Sequence, residues 1–121
     1  GLGDVYKRQV ALATLDILQR EQMVERVQAL APYFERAVHS LQGAKHVADI
    51  RNIGLAAGIT LAARPGEPAR RPFEAAMRCW ESGFYVRYGG DTLQLAPPFI
   101  SSEAQIDALI NAVGDALNAT E

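Results

Sequence analysis

Two short runs of strand-forming residues, Phe84 to Tyr88 and Thr92 to Leu95, flank a Gly89-Gly90-Asp91 corner, and Pro97-Pro98 follow the second run. Few features constrain a chain this tightly. The corner supplies residues that accept positive φ, and the alternation on either side predicts an antiparallel hairpin. Proline cannot donate to a sheet ladder, so the proline pair ends the second strand. Whatever fold this chain adopts must place a sheet around that ribbon.

The neighbouring segments supply the rest of the domain. From Leu12 to Leu41 apolar residues recur at steps of three and four: Leu12, Leu15, Leu18, Met23, Val24, Val27, Leu30, Ala31, Phe34, Val38 and Leu41. That period predicts one long amphipathic helix or two collinear ones, kinked near Pro32 and capped by Gly43. His46 to Ile53 and Leu55 to Ala63 read as two strands joined near Gly54, with Gly54 and Gly58 marking a turn, a bulge or a close backbone approach. Arg64 to Arg71 is a loop by its prolines and glycine. A helix follows from about Pro72 to Gly83, with Phe73, Ala76, Met77 and Trp80 expected on its buried face. Ser102 and Gln105 have the spacing of a capping box ahead of a stripe of Ile106, Leu109, Ile110, Val113 and Leu117. The order α-β-β-α-β-β-α predicts an α+β domain, a small, mostly antiparallel sheet covered by helices on one face.

The chain has 121 residues and a formal net charge of -2, so no charge excess points to nucleic acid or an anionic membrane. No apolar run approaches the ~20 residues needed to cross a bilayer, and no secretory leader is visible. A single cysteine, Cys79, rules out an internal disulfide framework and fits a reducing cytoplasm. Gly1 to Gln9 shows no apolar period and is similar to translated sequencing-adapter DNA. Residues 1–9 are therefore expected to be an artefactual or flexible tail, and residues 10–121 the domain.

Self-contained chemistry is hard to find. His39 and His46 have no cysteine or carboxylate at metal-ligand spacing, Ser101 and Ser102 lack nucleophile-elbow glycines, and the glycines match no nucleotide-binding fingerprint. Cys79, beside Trp80 on a helix, reads as a structural thiol. Arg87 stands apart. It lies near a strand end beside two glycines, where rigid backbone would hold its planar fork for bidentate contact with a carboxylate. Pairing with Asp91 or with solvent is the competing expectation.

The run FYVRYGGDTLQLAPPF (84–99) resembles the C-terminal core of class III, pyridoxal-phosphate-dependent aminotransferases. LQLAPPFISSEAQIDALINAVGDAL continues the likeness, IRNIGLAAGITL resembles that family's Arg-x-x-Gly-Leu-x-x-Gly strand pair, and LATLDIL resembles the helix after its large domain. VRYGGDTLQ is closest to the omega-amino-acid:pyruvate, or beta-alanine:pyruvate, branch rather than the acetylornithine or glutamate-semialdehyde branches. The resemblance implies the small domain of a fold-type I enzyme that moves an amino group from an amine or omega-amino acid to pyruvate. It implies that Arg87 binds the substrate carboxylate and swings aside for donors that lack one. The complete protein would be a cytoplasmic homodimer using pyridoxal phosphate.

One departure limits what this chain could do. The family's cofactor-bearing lysine has no counterpart, because only Lys7 and Lys45 occur and neither resembles its motif. The expectation is a substrate-facing segment that binds no cofactor, is inactive alone, and needs the missing large domain as partner. The competing reading is a stand-alone, non-catalytic α+β interaction or regulatory domain.

Overall fold

A computed structural model describes residues 2–121. It contains helices α1 (Leu2–Arg20), α2 (Met23–His39), α3 (Arg70–Glu81) and α4 (Glu103–Ala119) and strands β1 (Val47–Ile53), β2 (Ala56–Leu61), β3 (Arg87–Gly89) and β4 (Thr92–Leu95). The strands form one sheet in the order β1-β2-β4-β3, with every pair antiparallel. Helices α2, α3 and α4 cover one face. Phe34, Val38, Ala75, Ala76, Cys79, Ile106, Ile110, Val113 and Leu117 from the helices meet Ile50, Ala57, Ile59, Leu61, Leu93 and Leu95 from the sheet in a single core. The expected α+β architecture and its element order are observed.

Local signals act where they were read. Gly54 turns β1 into β2 at φ 55°, and Gly90 turns β3 into β4 at φ 59°. Ser102 Oγ accepts from the Gln105 amide at 3.2 Å while Gln105 Oε1 accepts from the Ser102 amide at 2.9 Å, closing a capping box on α4. Gly83, at φ 88°, ends α3: its amide bonds to Trp80 O and the Phe84 amide to Cys79 O, which satisfies two last-turn carbonyls.

Several expectations are corrected. The long first helix breaks at Gln22, which takes φ 50°, whereas helical structure continues across Pro32. No glycine or proline marks that break. α2 ends at Ser40, three residues before Gly43, whose φ of 85° serves the following turn instead. The early stripe residues Leu12 and Leu15 are 67% and 61% exposed, because α1 leaves the domain beyond the break. Residues 3–9 are likewise exposed on α1. On α3 the buried face is Pro72, Ala75, Ala76 and Cys79, while Phe73, Met77 and Trp80 lie on the exposed side. Small residues let α3 approach α4 and the sheet closely. The bulky ones stand at the margin, where Phe73 and Trp80 make edge-on contacts with Tyr88 and Tyr85.

Candidate functional site

The face of the sheet opposite the helices is polar. Strand alternation puts Asp49, Arg51, Thr60, Gln94 and Arg87 on it. Pairing aligns Arg51 with Gly58, Gly58 with Gln94, and Gln94 with Arg87, so one row crosses all four strands with an arginine at each edge. A Cβ on Gly89 would stand 3.1 Å from Gln94 Nε2, so this side chain lies close over Gly89. A hollow of about 470 Å³ opens here, walled by Arg51, Ile53, Gly58 and Gln94.

Arg87 is exposed on the edge strand, between buried Val86 and the Gly89-Gly90 turn. Of the two competing expectations, pairing with Asp91 is not seen, since Asp91 Oδ1 accepts from Thr92 Oγ1 at 2.8 Å and Arg87 enters no ion pair among the described residues, whereas its exposure is what the solvent-facing alternative also expects. A second hollow of about 280 Å³ runs along the same strand, lined by Met77, Trp80, Tyr85, Arg87 and Tyr88. Apolar aromatic walls beside one cation suit a small organic anion.

A third cleft, of about 430 Å³, lies where the ribbon meets the Pro97-Pro98 loop, lined by Phe84, Tyr85, Pro97, Ile100 and Gln105 among others. Its outer loop is pinned by Arg26 of α2. The guanidinium donates to Phe99 O at 3.0 Å, Ile100 O at 3.1 Å and Ser101 O at 3.3 Å. Sequence reasoning missed Arg26 because its partners lie 73 to 75 residues away.

The remaining reactive groups are engaged elsewhere. His39 Nε2 donates to Asn52 Oδ1 at 2.9 Å, and His46 Nε2 donates to Thr120 O at 3.1 Å. No group of three potential ligands that could hold a metal occurs among the described residues. Cys79 is buried, and burial pushes its thiol up to about 11. Lys45 Nζ donates to the same Thr120 carbonyl at 2.6 Å, and Lys7 is exposed on α1, so neither lysine stands on the strands that carry Arg87. No helix of the described residues is long and apolar enough to cross a membrane.

Comparison with known proteins places these features in context. The family described as Aminotransferase class-III matches residues 2–117. The beta-alanine--pyruvate aminotransferase of Pseudomonas aeruginosa is 56% identical over 107 residues, which cover 88% of this chain and 24% of that protein. The omega-amino acid--pyruvate aminotransferase of Pseudomonas putida is 53% identical over the same length and coverage. Among solved structures, the omega-transferase of Vibrio fluvialis superposes with a TM-score of 0.83 at 27% identity, over 90% of this chain and 27% of that one. The chain therefore spans about a quarter of the length of the relatives it matches.

Proposed function

The chain belongs to the class III aminotransferase family, and from that membership we propose that it is the substrate-facing part of an omega-amino acid:pyruvate aminotransferase. In this reading residues 10–121 form the small domain, and Arg87 receives the substrate carboxylate. The observation that carries it is the exposed guanidinium, without an ion-pair partner among the described residues, on a ribbon whose tip is held by backbone: the Leu61 amide donates to Asp91 O at 2.8 Å. A planar fork carried on such a ribbon matches a carboxylate bidentately and makes no such contact with a donor that lacks one. The identity to relatives named for beta-alanine and omega-amino acids supports the substrate class.

The family uses pyridoxal phosphate. The residues of this chain do not fit the cofactor by themselves, because Lys45 is committed to Thr120 and Lys7 sits on an exposed helix. The cofactor and its lysine are assigned to the portion of the relatives that this chain does not span, and catalysis requires both portions. The exposed apolar residues of α1, among them Val10, Leu12 and Leu15, are the surface offered to that remainder. A homodimer is the expected assembly of the complete enzyme.

The test is Arg87→Ala in the full-length enzyme. Beta-alanine and pyruvate should lose about 2–5 kcal/mol of transition-state binding, the cost of removing one partner from a desolvated charge pair. A simple amine donor should lose far less. Equal losses for both donor types would remove Arg87 from the carboxylate role. Separately, the 121-residue chain mixed with pyridoxal phosphate should show only the free cofactor's absorbance.

A further inference from the structure

We propose that a hydrogen-bond relay from Arg51 through Thr60 and Thr92 holds Asp91 away from Arg87 and so keeps that guanidinium free for a substrate carboxylate. The inference rests on the carboxylate reading of Arg87 given above. It starts from a competition within one hairpin. Asp91 is the sole acid between Phe84 and Leu95 and lies at the tip of the β3–β4 ribbon, four positions from Arg87. A flexible arginine beside an unengaged carboxylate pairs with it, and a guanidinium so paired is a poorer receptor for a second carboxylate.

The structure engages Asp91 elsewhere. Thr92 Oγ1 donates to Asp91 Oδ1 at 2.8 Å, which uses the only proton on that hydroxyl. Thr60 Oγ1 lies 3.1 Å from Thr92 Oγ1, so Thr60 must be the donor between them. With its own proton spent, Thr60 Oγ1 accepts from Arg51 Nη1 at 2.8 Å. Proton count thus sets one direction across three strands: guanidinium to hydroxyl to hydroxyl to carboxylate. Opposite charges terminate the chain, and each bond polarises the next.

Two further contacts hold the relay in register. Asp49 Oδ2 stands 3.1 Å from the same Arg51 Nη1, fixing the guanidinium at the far edge. Thr92 is 7% exposed, so water competes weakly for its hydroxyl. Arg51, Thr60 and Thr92 are therefore positioning residues: they touch no substrate and act through the orientation of Asp91.

The experiment compares Thr92→Val with Thr92→Ser in the full-length enzyme, with beta-alanine as the carboxylate donor, propylamine as the amine donor, and propionate as an unreactive carboxylate probe. Thr92→Val should raise KM for beta-alanine relative to KM for propylamine, and Kd for propionate, each by about threefold, the scale of competition from one exposed ion pair. Thr92→Ser keeps the hydroxyl and should hold both near wild type. Adding Asp91→Asn to Thr92→Val removes the competing charge and should return both to the Thr92→Ser values. If Thr92→Val fails to fold, Thr60→Val, at a half-buried site, interrupts the same relay and should give the same shifts. Unchanged ratios in the valine variants, with Arg87→Ala still selective against beta-alanine, overturn the relay and leave the carboxylate reading standing. An Arg87→Ala enzyme without that selectivity overturns both.

Discussion

The guanidinium of Arg51 covers Gly58 so closely that a Cβ at Gly58 would stand 3.3 Å from Arg51 Cζ and 3.4 Å from Nε and Nη2. The crowding at Gly58 therefore comes from a side chain on the neighbouring strand and not from a positive φ. Gly58→Ala should displace the guanidinium and break its bond to Thr60. A double-mutant cycle between Arg51→Ala and Thr60→Val should give a coupling of about 0.5 kcal/mol in the parent, small because Arg51 is largely exposed. That coupling should vanish in the Gly58→Ala background. Persistence there would mean that Arg51 reaches Thr60 by another path.

Ser102→Ala should cost about 1 kcal/mol, read as a lower midpoint in urea unfolding. The capping box satisfies the amides of Ser102 and Gln105 at the start of α4, and α4 contributes Ile106, Ile110, Val113 and Leu117 to the core. Ser102→Asp should recover most of the loss, because a carboxylate can accept from the same Gln105 amide and favours a helix N-terminus.

Cys79 should resist alkylation in the folded chain at pH 8 and react on unfolding. The thiol is buried against α4, and burial raises its pKa from 9.0 to about 11. The sign follows from proton binding. The unfolded thiol ionises first, so Cys79 favours the fold below pH 9 and this contribution declines as pH rises toward 11. Cys79→Ala should flatten the alkaline limb of the stability profile. Rapid labelling of the native thiol at pH 8 would contradict the packing described.

Glu74 should shape the acid limb. Its carboxyl is held below the usual range chiefly by the hydrogen bond from Arg70; burial opposes this, and the lesser effect of the Arg64 charge adds to the lowering. A depressed carboxyl contributes stability above the unfolded-state pKa and loses it as pH falls through the folded one. Glu74→Gln should therefore be less stable than the parent at neutral pH and converge with it in acid. Parallel profiles at all pH values would show that these ion pairs contribute nothing measurable.

The corner at Gly90, the turn at Gly54, the cap at Ser102 and the stop at Gly83 are legible in the sequence, whereas the strand expected from Phe84 to Tyr88 forms only over Arg87–Gly89. Each legible feature depends on dihedral preference or on a bond spanning a few residues. The face of α3 is not legible, since the period of its apolar residues fits both the bulky set Phe73, Met77 and Trp80 and the small set Ala75, Ala76 and Cys79. Close approach to α4 and the sheet selected the small set. The break at Gln22 carried no glycine or proline to announce it.

Amino-acid order alone determined most of the local elements and their sequence along the chain, because backbone conformation answers mainly to neighbours. The tertiary structure alone decided that β2 lies beside β4. Thr60 and Thr92, 32 residues apart, meet there, and Arg51 and Arg87 come to occupy opposite edges of one row. Such contacts depend on strand order and register, which are set by burying Ile59 and Leu93 against the helices rather than by any signal in the polar residues themselves.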